Sequence, residues 1–281
     1  MSTAAQLLAA GVAQLRAAGV DGGARDARWL LAYALNVDAA RLILALPDPV
    51  TDAQAQQFQN MIMARMRHQP VAQIVGARDF WGRRFCVTPD VLDPRPETET
   101  LIQTALDKPF DTVLDLGTGS GAILLTLLAE REQTHGVGVD LSPDALQVAD
   151  RNAHMLGVQG RVQLRLSDWF ANVSGHFDLI VSNPPYIGAS ELETLSAELR
   201  DWEPRMALVP DADDGSGLGA YRVICAQARD HLRPGGWLVV ETGAAQGQAV
   251  HRLFAAAGFV NISLLRDMSG HDRVVAGQHN P

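Results

Sequence analysis

The chain has 281 residues, enough for two domains, and 47% of them are hydrophobic, as in well-cored globular proteins. The formal net charge of −9 argues against tight non-specific nucleic-acid binding, which needs clustered Lys and Arg. No apolar stretch approaches the roughly 18 residues of a membrane span, and the first residues lack a signal-peptide pattern. Cys86 and Cys225 stand far apart, offering neither a disulfide framework nor a zinc site. We therefore expect a cytoplasmic protein without a metal.

Residues 1–70 predict a small helical bundle, because Ala is abundant there and β-branched residues are sparse. Thr51 is expected to cap a helix, with Gln54 completing a capping box, and Pro70 to stop it. The charge is also uneven, since residues 1–75 carry six Arg and five Asp. The first quarter of the chain is thus not acidic, whereas the remainder is.

Residues 71–92 have a different character. Segments 71–76 and 84–88 favour β-structure and are separated by residues 79–82, which are typical of a turn. This pattern predicts a hairpin that links the helical domain to the rest of the chain.

From residue 111 onward, apolar strands alternate with helices, which predicts a parallel sheet with helices on both faces. Strands are expected at 112–116, 137–140, 161–166, 177–182 and 237–241. Helices are expected at 120–131, at 143–157 with Ser142 as cap, and at 218–232, ended by Pro234-Gly235-Gly236. The last two strands, 259–265 and 272–277, are joined by only about six residues, so they must be antiparallel.

Asn183-Pro184-Pro185-Tyr186 follows the predicted strand 177–182. The two prolines remove two backbone N–H donors and stiffen the turn, which leaves carbonyls free to accept beside an amide and an aromatic ring. Such a turn can hold a planar –NH2 group, and this indicates chemistry on an amide or exocyclic amine nitrogen. A rigid surface turn is the alternative that these four residues alone leave open.

Three further loops follow strands in the same half of the chain. They supply a glycine-rich turn, a carboxylate for ribose hydroxyls, and a carboxylate with an indole for an adenine. The residues are Asp115, Gly117, Thr118, Gly119, Ser120, Gly121, Asp140, Asp168 and Trp169, with Asn183 beside them.

Each loop, taken alone, has another interpretation. The glycines could form a tight turn or an NAD loop, Asp140 could merely precede the Ser142 helix cap, and Trp169 could be a buried core aromatic. Their order favours an adenosine-bearing cofactor. Asp115 suits a cationic amino-acid end better than a pyrophosphate, which indicates S-adenosylmethionine. The chain resembles the class I methyltransferases, an α/β Rossmann-like fold whose mostly parallel seven-stranded sheet has an antiparallel last strand.

The remaining motifs narrow the resemblance. Segments 69–76, 80–82, 93–99, 202–208, 241–243 and 267–273, together with Gln246, are similar to those of the release factor glutamine methyltransferases. The likeness covers nearly the whole chain. Ile74 stands where the family usually has Tyr, and Asp93 stands where it usually has Ile.

This resemblance implies methyl transfer from S-adenosylmethionine, which leaves S-adenosylhomocysteine, to the side-chain N5 of the Gln in the Gly-Gly-Gln loop of class-1 peptide chain release factors. The Asn183 side-chain oxygen and the Pro184 carbonyl would accept the two N–H bonds of the amide, and Tyr186 would pack on its plane. Arg95 and Glu97 either close over the substrate or simply begin a helix at Pro96.

The resulting plan is a release-factor-binding bundle at 1–70, a hairpin linker at 71–92 and a methyltransferase domain at 93–281, in a monomer without direct nucleic-acid contacts. A DNA or RNA adenine-N6 methyltransferase is the first alternative, disfavoured by acidity and by the lack of a large insertion. The others are a glutamine methyltransferase of a ribosomal protein and a non-catalytic adenosine-binding module.

Overall fold

The computed structural model describes residues 2–211 and 213–280 and divides into two compact units. The helical unit comprises the chain up to Ala77 together with Ser196–Trp202, and the sheet unit comprises Arg78–Leu195 and the chain from Glu203 onward. The sequence-based boundary at residue 70 placed 196–202 in the other domain. That short segment carries two acids and one Arg, so the formal charge of the helical unit is zero rather than positive.

Twelve α-helices and nine strands are formed by the described residues. The helices are α1 Ala4–Ala17, α2 Gly23–Leu35, α3 Leu42–Ala45, α4 Asp52–Met66, α5 Val71–Val75, α6 Glu99–Leu106, α7 Ala122–Glu130, α8 Pro143–Met155, α9 Ala197–Trp202, α10 Arg205–Leu208, α11 Gly219–His231 and α12 Gly247–Ala256. The strands are β1 Ala77–Phe80, β2 Arg83–Cys86, β3 Thr112–Leu116, β4 His135–Asp140, β5 Val162–Leu166, β6 Phe177–Ser182, β7 Leu232–Glu241, β8 Val260–Arg266 and β9 Asp272–Gln278.

The helical unit packs α1, α2 and α4 around one apolar core that includes Leu15, Leu30, Phe58 and Ile62. The predicted capping box of α4 is present: the Gln54 N–H donates to Thr51 Oγ1 at 3.3 Å, and the Thr51 N–H donates to Gln54 Oε1 at 3.0 Å. Local signals therefore set where this helix begins, and burial of its apolar face holds it in place.

A buried ion cluster joins three helices of the helical unit. The Arg65 guanidinium on α4 places Nε 2.8 Å from Asp26 Oδ2 and Nη2 2.7 Å from Glu198 Oε2 on α9. Both Asp26 and Arg65 are buried, at 5% and 6% exposure. Because an unpaired buried charge is strongly destabilising, α2, α4 and α9 depend on one another through Arg65.

The prediction of a strand at 71–76 is wrong, since these residues form α5. Pro70 supplies a fixed φ of −56° just before the helix, and Gly76 ends it in the left-handed conformation at φ 72°. Burial of Ala72 in the helical unit outweighs the β-propensity of its branched neighbours. The hairpin itself exists, but it is formed by β1 and β2 around Trp81 and Gly82.

The sheet unit contains the predicted seven-stranded sheet, in the order β5-β4-β3-β6-β7-β9-β8. The first five strands are parallel, and β9 runs antiparallel to both β7 and β8, which confirms the expectation from the short last connection. One apolar layer contains residues of α6 and α7, and a second contains residues of α11 and α12. The sheet is therefore covered on both faces.

The strand predicted at 237–241 is longer than expected, because Pro234-Gly235-Gly236, predicted only as the end of the preceding helix, lies inside it. The helix α11 ends at His231, and β7 already begins at Leu232 and runs through the Pro-Gly-Gly segment. The pairing with β6 shifts between Phe177 and Leu179, so the segment is an irregularity inside the strand. Among the described helices, none combines the length and apolar character needed to cross a bilayer.

Candidate active site

Two loops flank the point where the strand order of the sheet reverses. The central strand β3 pairs with β4 on one side and with β6 on the other. In open α/β sheets, ligands bind at the carboxyl ends of the strands around such a point. The glycine loop follows β3 and Asn183 follows β6, and a cavity of about 520 Å³ lies between the loops.

Most of the predicted site residues line this cavity. They are Arg95, Gly117, Thr118, Gly119, Ser120, Asp140, Asp168, Trp169, Asn183 and Pro185. Five other predicted residues lie outside the described lining: Asp115, Gly121, Pro184, Tyr186 and Glu97. The cavity thus brings together loops that are separated by up to 90 positions in the sequence.

The three glycines of the loop have positive φ angles and two different roles. A Cβ atom on Gly117 or Gly119 would meet no atom within 4 Å, so these two positions face open space that a ligand can approach. A Cβ atom on Gly121 would lie 2.7 Å from Leu125 Cδ1, so this glycine permits close helix packing. The loop is a cradle whose first two glycines face the cavity.

Asp115 lies behind that cradle and is fully buried. Its Oδ2 accepts a hydrogen bond from Thr118 Oγ1 at 2.7 Å, while Oδ1 has no partner among the described residues. Burial raises the pKa of the Asp115 carboxyl to about 7; the Thr118 hydrogen bond opposes the rise and the nearby Asp140 charge adds to it. A buried, under-satisfied carboxylate of this kind attracts a cationic group.

Asp140 connects the end of β4 to the glycine loop. Its Oδ2 accepts from the Gly119 N–H at 2.8 Å, and its Oδ1 accepts from the Ser142 N–H at 2.9 Å. Burial raises the pKa of Asp140, and the backbone hydrogen bonds from Ser142 and Gly119 oppose that rise. Since a carboxylate has about four acceptor sites, Asp140 can hold the loop and still accept from a ligand hydroxyl.

Asp168 and Trp169 follow β5. Trp169 adopts a left-handed backbone conformation at φ 47°, and the Ser167 hydroxyl donates to its carbonyl oxygen at 2.8 Å. The indole packs against the apolar layer of α11 and α12 and also lines the cavity. The core interpretation and the ligand-lining interpretation of this indole are therefore compatible.

Gln246 holds the backbone at the end of the Asn183–Tyr186 turn by hydrogen bonds. Gln246 Nε2 donates to the carbonyl oxygens of Tyr186, at 2.9 Å, and Ser216, at 3.2 Å. Gly217, at φ 68°, permits this approach, because a Cβ atom there would collide with the Tyr186 carbonyl. Burial, followed by the Glu241 charge, raises the pKa of the Tyr186 phenol, which stays neutral at physiological pH.

The segment around Arg95 begins a helix, as one of the two sequence interpretations proposed. Pro96–Thr98 forms a 3-10 turn that leads into α6, and Glu97 is exposed. Arg95 Nη2 lies 2.7 Å from the buried Glu203 Oε1, so its guanidinium is held at the cavity wall.

Asp93, which stands where the family usually has Ile, is paired with an arginine. The Asp93 carboxylate is buried, with Oδ2 3.5 Å from Nη1 of Arg78 on β1. Two buried acids, Asp93 and Glu203, thus face two arginines beside the cavity.

Sequence reasoning missed part of the cavity wall. Pro204, Met206, Ala207, Asp211, Val223 and Gln227 also line it. These residues stand on α10, on α11 and in the connections around them, where no glycine pattern or strand end marks a site. Only the 202–208 motif pointed to this region before the fold was known.

The comparisons with known proteins agree with this arrangement. Residues 6–76 match the model of the PrmC N-terminal domain, and residues 90–199 match that of the methyltransferase small domain. Over 275 residues the chain is 58% identical to a release factor glutamine methyltransferase of Cereibacter sphaeroides, covering 98% of each chain. The chain belongs to the release factor glutamine methyltransferase family.

Further relatives of this family share less of the sequence. The release factor glutamine methyltransferase of Rhodospirillum rubrum is 41% identical, over 95% of this chain and 82% of its own. A methyltransferase structure from Pyrococcus furiosus superimposes with a TM-score of 0.55 at 16% identity, over 79% of this chain and 98% of its own. This similarity shows that the chain has the methyltransferase fold.

Proposed function

We propose that this enzyme transfers a methyl group from S-adenosylmethionine to the side-chain N5 of the Gln in the Gly-Gly-Gln loop of class-1 peptide chain release factors. The observation that carries the proposal is the near-complete, 58% identical match to a release factor glutamine methyltransferase. The position of Asn183 supports it, because this residue and the glycine loop line the same cavity.

The residues at the glycine loop fit S-adenosylmethionine. Gly117 and Gly119 leave room at the backbone, and the buried Asp115 oxygen without a partner favours the ammonium of an amino-acid end. Asp140, Asp168 and Trp169 line the same cavity, where Asp140 would accept from the ribose hydroxyls and Asp168 and Trp169 would hold the adenine. When bound, S-adenosylmethionine supplies an activated methyl group.

The chain's own contribution is alignment. The nitrogen of a carboxamide is a poor nucleophile because its lone pair is delocalised. The Asn183 side-chain oxygen and the Pro184 carbonyl would accept its two N–H bonds and orient the nitrogen towards the methyl donor, while Tyr186 packs on the amide plane. Gln246 and Gly217 keep the Tyr186 backbone in place for this task.

The substrate is a protein, so we propose that the release factor binds both the Arg95 side of the cavity and the helical unit. The helical unit is neutral whereas the sheet unit is acidic, so the two would make different contacts with the factor. We also propose that the enzyme acts as a cytoplasmic monomer and makes no direct contact with nucleic acid.

A methyl-transfer assay tests the proposal. Radiolabelled S-adenosylmethionine is incubated with the enzyme and with purified release factor, the same factor with its loop Gln replaced by Ala, or DNA. We expect label only on the intact factor. Label on DNA alone would replace the proposal with an adenine methyltransferase, and label retained after the Gln replacement would place the modified residue elsewhere.

A further inference from the structure

The turn formed by residues 243–246 reaches Tyr186 at two points. It comes just after β7, and the Gln246 N–H closes it by donating to the Gly243 carbonyl oxygen at 2.9 Å. Gln246 Nε2 donates to the Tyr186 carbonyl oxygen, also at 2.9 Å. A Cβ atom on Gly243 would lie 3.2 Å from Cδ2 of the Tyr186 ring. One short turn thus lies against both the backbone and the ring of Tyr186.

Gly243 leaves the space that the Tyr186 ring occupies. Carbon atoms pack best at about 3.5–4.0 Å, so a methyl group on Gly243 would push the ring away. The same methyl group would come within 2.8 Å of Gln246 Oε1, and the side chain that holds the Tyr186 carbonyl would have to move. Gly243 is not among the glycines with positive φ, so the obstacle to alanine here is steric rather than conformational.

Arg273 ties this turn to the neighbouring strand β9. The Thr242 N–H donates to the Arg273 carbonyl oxygen at 2.7 Å, and Arg273 Nη1 donates back to the Thr242 carbonyl oxygen at 3.2 Å. Thr242 immediately precedes Gly243. The two hydrogen bonds therefore fix the backbone at the point where the turn begins.

Asp267 holds the Arg273 guanidinium in this orientation. Arg273 Nε lies 3.2 Å from Asp267 Oδ2, and both side chains are largely buried, at 12% and 3% exposure. Asp267 Oδ1 accepts from the N–H groups of Ser269, at 2.9 Å, and His271, at 3.0 Å, so the carboxylate is itself fixed in the β8–β9 connection. Because a guanidinium donates in several fixed directions, Arg273 can bond this carboxylate and the Thr242 carbonyl together.

We propose that Gly243 and Arg273 are positioning residues that set the place of the Tyr186 ring and, through it, the orientation of the substrate amide. This inference rests on the proposed function of the Asn183–Tyr186 turn. Gly243 lets the ring lie close to the turn, Gln246 holds the Tyr186 backbone, and Arg273 holds the turn on β9. Neither Gly243 nor Arg273 is among the described residues that line the cavity, so both act through Tyr186.

Fluorine NMR tests the placement of the ring directly, because the chain has only three tyrosines, Tyr33, Tyr186 and Tyr221. The full-length enzyme is labelled with 3-fluorotyrosine, and Tyr186→Phe identifies the Tyr186 signal. Gly243→Ala should shift that signal, and Arg273→Met should shift or broaden it. The Tyr33 signal, from α2 in the helical unit, should stay unchanged and serves as an internal reference.

Methylation of purified release factor by the unlabelled enzyme gives the functional readout. We expect kcat/KM for the factor to fall about tenfold or more in Gly243→Ala, and by less in Arg273→Met, because small displacements of an aligning group cost rate. The affinity for S-adenosylmethionine, measured by calorimetry, should keep its wild-type value in both variants.

Gly160→Ala is the matched control. Gly160 is exposed in the 3-10 turn before β5, and a Cβ atom there would meet no atom within 4 Å. This variant should keep the wild-type spectrum and the wild-type rate. If Gly243 were merely structural, Gly243→Ala would lower the melting temperature but would leave the Tyr186 signal and the rate, both measured well below that temperature, unchanged.

The inference requires both changes in Gly243→Ala, so an unchanged Tyr186 signal or an unchanged rate would overturn it. Cofactor affinity that falls as much as the rate would assign Gly243 to cofactor binding and would also overturn it. If Gly243→Ala does not fold, Arg273→Met decides by the same criteria. A wild-type enzyme that does not label the release factor would instead refute the proposed function, while the fluorine signals would still decide whether this turn positions Tyr186.

Discussion

Replacing Asp115 with Asn should stabilise the ligand-free enzyme in a pH-dependent way while weakening cofactor binding. The carboxyl group is fully buried, and in the wild type its Oδ2 accepts from the Thr118 hydroxyl at 2.7 Å. The side-chain oxygen of Asn can accept the same hydrogen bond. The main effect of the substitution on stability is therefore to remove the free-energy cost of burying the Asp115 charge.

The magnitude follows from the pKa of Asp115, which burial raises from 3.8 to about 7. Because the folded pKa lies above the unfolded one, the folded protein retains a proton that the unfolded chain has lost. Wild-type stability therefore falls as the pH rises through this window and levels off above the folded pKa. Between pH 5 and pH 7 this amounts to about two pKa units, or about 3 kcal/mol.

Urea unfolding of the ligand-free proteins at pH 5 and pH 8 measures the effect. The free energy of unfolding of Asp115→Asn minus that of the wild type should be about 3 kcal/mol larger at pH 8 than at pH 5, which means that the variant gains relative stability as the pH rises. Other acids, including Glu241, titrate in both proteins and largely cancel. Calorimetry should show S-adenosylmethionine affinity falling about tenfold or more, since the variant lacks the buried anion.

Asp178→Asn is the matched control. Burial tends to raise the pKa of Asp178, but hydrogen bonds from Arg233 and Thr112 hold it below its usual value. Its contribution to stability is therefore present above the unfolded pKa of about 4 and constant between pH 5 and pH 8. A relative stability of Asp115→Asn that is equal at both pH values, or that falls at pH 8, would refute the reasoning.

Three further substitutions test other parts of the molecule. Asn183→Ala should lower kcat about 100-fold or more, with S-adenosylmethionine affinity nearly unchanged in calorimetry, because it removes an acceptor for the reacting amide; near-normal turnover would contradict its role. Gly217→Ala should raise KM for the release factor and cost about 1–3 kcal/mol in urea unfolding, since φ is 68° and the new Cβ meets the Tyr186 carbonyl. An unchanged KM would show that the position of the Tyr186 backbone, which Gln246 holds by a hydrogen bond, does not matter for binding the factor. Arg65→Met should cost about 3–5 kcal/mol in urea unfolding, because Asp26 stays buried and keeps only the exposed Arg25, whose Nε lies 3.7 Å from Asp26 Oδ1; an unchanged transition would mean that Arg25 or solvent compensates the Asp26 charge.

Much of the fold was predictable because its signals are local. The Thr51 capping box, the Ser142 cap and the short connection before β9 each involve residues close together in the chain. The prediction of a strand at 71–76 was wrong because tertiary burial outweighs the local preference there. Its branched residues favour a strand, but Pro70, Gly76 and burial of Ala72 make it a helix.

The sequence by itself determined which loops follow which strands, and hence that the glycine loop, Asp140, Trp169 and Asn183 meet at one edge of a parallel sheet. It also determined the family, because these motifs occur together in order. Tertiary structure alone decided that Ser196–Trp202 belongs to the helical unit, that Arg95 pairs with Glu203, and that Asp115 and Glu241 are buried. Burial and ion pairing join residues more than 100 positions apart, and no local pattern in the chain encodes such distances.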